Sequence, residues 1–428
     1  MRRIAFHTLG CKVNQYDTQA MLESFQAAGW QVCEFDEQAD AYVINTCTVT
    51  GTGDKKSVQL IRRIHRLHPD AAIVVAGCLA QRDPERVSLP GVRLVLGTAE
   101  RARVVELLER ALDEDTCLVR VNPLKGAKFE PLTVNSHEGR TRATMKIQEG
   151  CDRYCAYCII PYVRGPVRSL ELDAVRAEAE RLAGAGYREL VVTGIHLTSY
   201  GRGMGYELCD ALEAIGSVEG VERIRLGSLE PYYITDERAR RLSELPEICP
   251  QFHLSMQSGS AGVLERMRRR YIPDEYARSV DMLRKYMPDC AITTDVLTGF
   301  PGETEEETRE TLEFVERIGF ARIHVFPYSR RSGTVADRMP GQVPEQVKHE
   351  RAAQLIELGT RLSERYERSM LGSVREALLE EEVEPGICQG YTREYLRVRA
   401  PGKPGEIVRL RLTELCEHGI IGVRVDGE

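Results

Sequence analysis

Three cysteines within eight positions, Cys151, Cys155 and Cys158, constrain this 428-residue chain more than any other stretch. They form a Cys-x3-Cys-x2-Cys run. The alternation Ala143, Met145, Ile147 ahead of it reads as a half-buried strand, which puts the thiols on the loop past a strand's C-terminal end. Three thiolates on so short a tether suit a metal cluster. Iron-sulfur clusters are ordinarily held by four thiolates, so a trio leaves one iron open. Zinc is the alternative, but structural zinc sites close with four ligands. The next histidine onward is His196, so a fourth ligand would have to come from far along the chain.

The thirteen cysteines are odd in number and spread over a long chain, which argues against a disulfide framework and for metal or sulfur chemistry. Met1-Arg-Arg runs straight into a strand pattern, and the longest apolar run, near Ala71 to Ala80, is about half of what a membrane span needs. The expectation is a cytoplasmic protein with no membrane segment. A net charge of −7 argues against indiscriminate polyanion binding, yet a local basic patch still binds nucleic acid on an acidic protein.

Residues 1–118 repeat a strand-then-helix rhythm, with strands expected at 4–8, 41–46, 72–76 and 92–96, the pattern of an open parallel α/β domain. A helix is expected over 17–28, with Met21, Phe25 and Ala28 on one face and Gly29 as its stop. Each of the first three strands runs into a cysteine: Thr8-Leu-Gly-Cys11, Asn45-Thr-Cys47 and Ala76-Gly-Cys78. Ligands gather at the carboxyl ends of parallel strands, so these three thiols can converge into a second trio. The alternative is that each is a small apolar residue packed where it fits.

A polar stretch at 119–138 reads as a linker, and a second βα series fills 139–370. Strands at 142–148, 189–193, 223–228, 251–256, 290–297 and 322–327 make a partial (β/α)6 barrel. Thr304-Glu-Glu-Glu307 is a capping box directly after the Gly299-Phe-Pro-Gly302 loop. Barrel sites are built from strand ends, which places Thr193, Gly194, Ser228, Glu230, Gln257, Ser258 and Gly299 around the same mouth as the three cysteines. The glycines allow close approach to a ligand, or only make tight turns. His196 and His324 also lie at strand ends, where they touch substrate or serve structure. A long helical pattern at 344–371 leads into residues 371–428, whose alternation points to a small antiparallel β-barrel.

The cysteine run between a strand and a helix resembles the signature of radical S-adenosylmethionine enzymes. Taken with Cys11, Cys47, Cys78, the Gly299-Phe-Pro-Gly-Glu-Thr loop and the C-terminal β module, essentially the whole chain is similar to the methylthiotransferase family. Ile147-Gln-Glu-Gly-Cys, Cys158-Ile-Ile-Pro-Tyr-Val-Arg-Gly and the Gly390-Tyr-Thr-Arg-Glu-Tyr ending most resemble the branch acting on N6-threonylcarbamoyladenosine (t6A) beside the tRNA anticodon. The resemblance implies a radical-generating [4Fe-4S] cluster on Cys151, Cys155 and Cys158, and an auxiliary [4Fe-4S] cluster on Cys11, Cys47 and Cys78. Two S-adenosylmethionine molecules are used per turnover, one to methylate a sulfur species and one to supply the radical that activates C2 of the adenine. Tyr157 would lie near the cofactor adenine, or serve as a core aromatic.

The C-terminal module resembles a TRAM domain, which implies a grip on the tRNA anticodon stem-loop. Acidic residues outnumber basic ones there, 11 to 8, so RNA affinity needs a segregated basic face. Arg393, Arg397, Arg399, Arg409 and Arg411 would supply it, with Tyr391 or Tyr395 stacking on bases, and Arg268, Arg269, Arg270, Arg330 and Arg331 add two clusters near the barrel. The same arginines also suit solvated faces. The remaining implied partners are an electron donor such as a flavodoxin or ferredoxin, and a sulfur source. Rival readings share the cysteine plan but act on N6-isopentenyladenosine in tRNA or on an aspartate of a ribosomal protein. A rival of another class is a non-catalytic RNA-binding protein that holds its metal structurally.

Overall fold

In the computed structural model, which describes residues 1–135 and 141–425, the first sheet is built on two strands buried at every position, Ala41–Thr46 and Ala72–Gly77. Strands buried at every position, apolar through Ala41 to Ile44 and Ala72 to Gly77, belong at the centre of a parallel sheet covered on both faces. Six parallel strands form it: β1 (Arg3–Thr8), β2 (Gln31–Cys33), β3 (Ala41–Thr46), β4 (Ala72–Gly77), β5 (Val92–Leu96) and β6 (Leu118–Arg120), in the order β2-β1-β3-β4-β5-β6. The edge strands β2 and β6 span three residues each, too short to leave a periodic signal. The first helix starts at Lys12 rather than Asp17 and ends at Ala27, with Met21 and Phe25 buried but Ala28 exposed. Its polar first turn concealed the start, while Gly29, at φ +83°, makes the expected stop.

The central strands are β7 (Arg142–Glu149), β8 (Arg168–Ser169), β9 (Glu189–Gly194), β10 (Arg223–Leu226), β11 (Gln251–His253), β12 (Ala291–Thr298) and β13 (Arg322–Pro327). They fall into two sheets, β10-β9-β7-β8 and β11-β12-β13, joined at the β10/β11 seam by the isolated bridges Ile224–Ile248 and Leu229–Leu254. β10 and β11 are shorter than the sequence pattern implied, and β8 is an antiparallel edge that the pattern did not show. Ala143, Met145 and Ile147 pack outward into the main core. By the two-residue period of a strand, Arg142, Thr144, Lys146 and Gln148 therefore face the barrel interior.

The helix Glu345–Ser369 packs on β13 and delivers the chain to a closed five-stranded barrel of β14 (Val374–Glu384), β15 (Ile387–Thr392), β16 (Arg397–Pro401), β17 (Ile407–Cys416) and β18 (Gly419–Arg424). It is antiparallel except at β16–β18, which pair in parallel. The barrel docks on the N-terminal ends of the central strands. There Arg225 donates to the Arg393 and Thr392 carbonyls at 3.0 and 3.2 Å, and Arg223 to that of Tyr391 at 3.1 Å. Residues 136–138 of the expected linker, 139–140 at the expected start of the barrel and the last three residues of the C-terminal module lie outside the described residues.

A buried charge cluster fastens the first sheet to the central barrel. Asp17 and Arg101 come from the N-terminal part, Lys146, Glu149 and Arg164 from the central part, and none has a side chain more than 3% exposed. Lys146 Nζ lies 2.5 Å from Asp17 Oδ1, and Arg164 Nη1 lies 3.0 Å from both Asp17 and Glu149. Removing one member leaves an uncompensated buried charge, so Lys146→Met is expected to cost about 3–5 kcal/mol, read as a lower urea midpoint. Burial alone would raise the Asp17 carboxyl, but Arg101, Lys146 and Arg164 hold it below its ordinary value of 3.8. Its folded value being the lower one, its stabilisation is complete above that ordinary value and is lost as pH falls through the depressed one. The acid limb of a pH–stability curve should therefore flatten in Asp17→Asn below about pH 4, the ordinary carboxylate range.

Candidate active site: two cysteine trios

The first trio forms where β1, β3 and β4 end. Gly10, at φ +109°, precedes Cys11, and a Cβ there would come within 2.9 Å of the Cys47 Cβ and 3.0 Å of its sulfur, so only glycine lets the two loops close together. Asn14 ties the loops, donating to the Leu9 and Thr46 carbonyls at 2.8 and 3.0 Å, while its Oδ1 lies 4.0 Å from the Cys78 sulfur. Cys11 is exposed, Cys47 half-buried and Cys78 buried. Burial pushes the Cys47 thiol up, and Cys78 up to about 11; Cys11 and Cys47 add to the Cys78 shift while Arg164 opposes it.

The second trio lies past β7. Gly150 must be glycine, since a Cβ would fall 1.9 Å from the Pro166 carbonyl oxygen. The Cys151 N–H donates to Gly165 O at 2.9 Å, Cys158 N–H to Cys155 O at 2.9 Å, and Arg269 Nη1 donates to the Cys155 sulfur at 3.5 Å. Burial pushes Cys151 up to about 11 and Cys158 up to about 12, with the neighbouring thiols of the run adding to both. Among the described residues no group of three or more His, Cys, Asp or Glu is arranged to hold a metal ion. The test of fit is therefore the donor chemistry. At Cys47, Cys78, Cys151 and Cys158, burial and the neighbouring thiols disfavour the bare thiolate, a cost that a bound iron-sulfur core removes, and one arginine N–H is aimed at a sulfur in each trio, Arg164 at Cys78 and Arg269 at Cys155. The residues fit such a group.

Arg164 connects the two trios. Its Nε lies 3.3 Å from the Cys78 sulfur, its Nη2 donates to Asn14, and its Nη1 donates to Asp17 and Glu149. Gly165, the next residue, takes the Cys151 N–H. Cys78 packs on Ile159 and Val163 of the cysteine loop and its short helix, and Thr98 Oγ1 donates to Val163 O at 2.7 Å. On the far side, the Thr48–Asp54 pair that follows Cys47 receives the buried Arg331, which comes from the segment after β13. The N-terminal sheet thus rests on the barrel mouth from both β7 and β13.

Around the mouth, Glu230 pairs with Arg269 at 2.6 Å and lies 4.0 Å from His196. Thr193 is buried, and Gly194 packs on Gln148, whose amide joins the His196 N–H to the Glu149 and Gly150 carbonyls. Tyr157 sits edge-on to Phe300 with ring centres 6.4 Å apart, and burial raises its hydroxyl far above the ordinary value. Ser228 is exposed, and Gln257 holds φ +67°. Ser258 and Gly299 also make contacts within the protein. Ser258 bonds to Thr311 and to the Ser260 N–H, and Gly299 packs on Lys348 while its N–H donates to Glu303. Arg153, which no motif or periodicity singles out, donates to His196 at 3.3 Å and stacks over Tyr232 at 4.5 Å. Burial, with Arg153, Arg202 and Arg269, lowers His196 to about 3, so it is neutral at pH 7.

The expected RNA face is partly redirected. Arg269 is only 5% exposed and belongs to the second trio, Arg331 is buried between the parts, and Arg393 donates to the Pro246 and Ile248 carbonyls. Tyr391 and Tyr395 stack on each other at 4.5 Å, with the Arg142 guanidinium 5.4 and 5.5 Å from their ring centres, so each ring already spends one face on the other. Arg268, Arg270 and Arg409 are exposed, and Arg397 is half-buried. Arg330 is exposed beside Asp337, Arg399 pairs with Glu384, and Arg411 donates to Gly372 O. His324 is exposed with its ring 6.2 Å from that of His253.

No helix among the described residues is long and apolar enough to cross a membrane. The family model described as uncharacterized protein family UPF0004 matches residues 3–97, and the radical SAM superfamily model matches 145–315. In fold, the chain is similar to the radical S-adenosylmethionine methyltransferase TsrM from Kitasatospora setae, with a TM-score of 0.59 at 16% identity over 78% of this chain and 77% of that one. In sequence it is 34% identical to the tRNA-2-methylthio-N(6)-dimethylallyladenosine synthase of Moorella thermoacetica over 98% of each chain. It is 38% identical to the threonylcarbamoyladenosine tRNA methylthiotransferase MtaB of Thermotoga maritima, over 100% of this chain and 98% of that one. The identity is 44% to MtaB of Bacillus subtilis, over 96% of this chain and 94% of that one. With this similarity along its whole length, the chain belongs to the radical SAM methylthiotransferase family that includes the threonylcarbamoyladenosine tRNA methylthiotransferases.

Proposed function

We propose that the protein adds a methylthio group to C2 of t6A at position 37 of tRNA, using S-adenosylmethionine and two [4Fe-4S] clusters, one on each cysteine trio. The observation that supports the reading is that Arg164, 3.3 Å from the Cys78 sulfur, directly precedes Gly165, whose carbonyl takes the Cys151 N–H at 2.9 Å, so the loops carrying Cys78 and Cys151 are in contact. The substrate follows from similarity, which reaches 44% to an enzyme named for threonylcarbamoyladenosine against 34% to one named for dimethylallyladenosine.

When bound, the clusters and S-adenosylmethionine supply one-electron cleavage of a sulfonium and a carrier for sulfur. The chain's own groups do the rest. Arg269 holds the Cys155 sulfur and is itself held by Glu230, so the charge beside that thiol is fixed before any ligand arrives. Neutral His196, bonded to Ser199 and Arg153, lines the mouth as a hydrogen-bonding group that carries no charge. Tyr157 and Phe300 offer an aromatic edge to an adenine. The N-terminal sheet, resting on both sides of the mouth, limits water entry to the reacting atoms. A flavodoxin- or ferredoxin-type donor, a sulfur source and a cytoplasmic tRNA anticodon stem-loop complete the reaction. Of the arginines expected to meet RNA, the exposed Arg268, Arg270 and Arg409 are available to phosphate, while Arg330 is paired with Asp337.

Anaerobically reconstituted protein is expected to hold about eight irons and eight sulfides per chain, whereas colourless protein with stoichiometric zinc contradicts the reading. Cys151→Ala with Cys155→Ala and Cys158→Ala should abolish S-adenosylmethionine cleavage. The corresponding triple change at Cys11, Cys47 and Cys78 should spare uncoupled cleavage and stop sulfur insertion. Mass spectrometry of tRNA nucleosides from cells with and without the gene tests the substrate: 2-methylthio-t6A should vanish on deletion, and an unchanged level refutes it.

A further inference from the structure

Lys12 follows Cys11 and opens the helix Lys12–Ala27. It lines a cavity of about 320 Å³ where all three parts of the chain meet, with Arg142 and Val191 from the barrel interior and Glu380, Tyr391 and Tyr395 from the C-terminal barrel. That volume is at the small end for ligand sites and suits a substituent rather than a whole nucleotide. Arg142 is already neutralised, with its Nε 2.7 Å from Glu380 and its guanidinium over both tyrosine rings. Glu381, the other carboxylate of the lining, is exposed and accepts from Gln389 at 3.2 Å. Lys12 is open to the cavity, and among the described residues no carboxylate pairs with its ammonium. It is the one cation of the lining that makes no ion pair or side-chain hydrogen bond among the described residues, although Tyr395 and Glu189 attract its charge and Arg142 and Arg225 repel it, and in a concave site an incoming anion is attracted more strongly than in bulk water.

We infer that Lys12 binds the carboxylate of the threonylcarbamoyl group and is the residue by which the enzyme reads a charged N6 substituent. This deepens the function proposed above and rests on it. The Cα atoms of Cys11 and Lys12 are about 3.8 Å apart, so a single stretch of backbone places a thiol for one end of the adenine and a cation for the other. Sulfur arrives at C2, the N6 substituent leaves the same ring edge, and the four-carbon lysine arm spans a distance comparable to the threonylcarbamoyl chain. The stacked Tyr391 and Tyr395 give the cavity an aromatic wall. An uncharged alkyl group on N6 gains nothing from the lysine and leaves its ammonium unpaired, which is discrimination by an unmet polar group.

The test uses anaerobically reconstituted full-length protein and two anticodon stem-loop RNAs, one carrying t6A and the other its carboxyl methyl ester, with affinities read by fluorescence anisotropy. Wild type should prefer the acid at least tenfold, Lys12→Met should bind the two RNAs equally, and Lys12→Arg should restore most of the preference. The ratio within each variant cancels any general loss of folding or RNA affinity. Equal binding by wild type, or a preference that survives in Lys12→Met, overturns the assignment of Lys12. Conversion of the t6A RNA to its 2-methylthio product by wild type is scored separately. Its absence overturns the functional reading, whereas the acid-to-ester ratio bears on Lys12 alone.

Discussion

The arrangement depends on one buried guanidinium. Arg164 has no solvent to offset the cost of its charge, and its contacts show what offsets it: Asp17 from one part of the chain, Glu149 from another, Asn14 and the Cys78 sulfur. A buried cation is tolerated only when paired and hydrogen-bonded. Asn14, Asp17 and Cys78 sit on helices of the N-terminal part and Glu149 on β7, so satisfying Arg164 requires the two parts to meet in one register. That register carries Cys78 onto the loop that holds Cys151, Cys155 and Cys158.

The second contact, Arg331 onto Thr48 and Asp54, repeats the device at the other side of the mouth. The two fasteners span the opening that a partial barrel leaves between its first and last strands. A third set of buried charges, Arg223 and Arg225 with Glu189, holds the C-terminal barrel against the opposite end of the strands. The barrel interior is therefore covered above by the sulfur-bearing sheet and below by the β-barrel, with the cavity at Lys12 between them.

Much of this was legible in sequence, for physical reasons. Strands β3 and β4 announce themselves because a parallel sheet covered on both faces demands unbroken apolar residues, and both cysteine trios follow from their place after strands. The edge strands β2, β6 and β8 were not legible, since two or three residues carry no period. Nor was the fate of the arginines. Arg269, Arg331 and Arg393 look like any basic residue in sequence, and only the fold shows them facing a thiol, a carboxylate and two carbonyls rather than phosphate. Tyr391 and Tyr395 likewise read as base-stacking rings until Arg142 is seen over them. Charge partners distant in sequence are set by packing, which local pattern does not encode.

The central claim is that the two trios hold clusters that face each other across Arg164, and electron paramagnetic resonance tests it directly. The spectrum of reduced, doubly reconstituted protein is compared with the sum of those from the two triple-cysteine variants, each retaining one trio. Facing clusters predict a spectrum that differs from the sum by broadening or splitting from spin–spin coupling. A spectrum equal to the sum, with full iron content, would contradict the account.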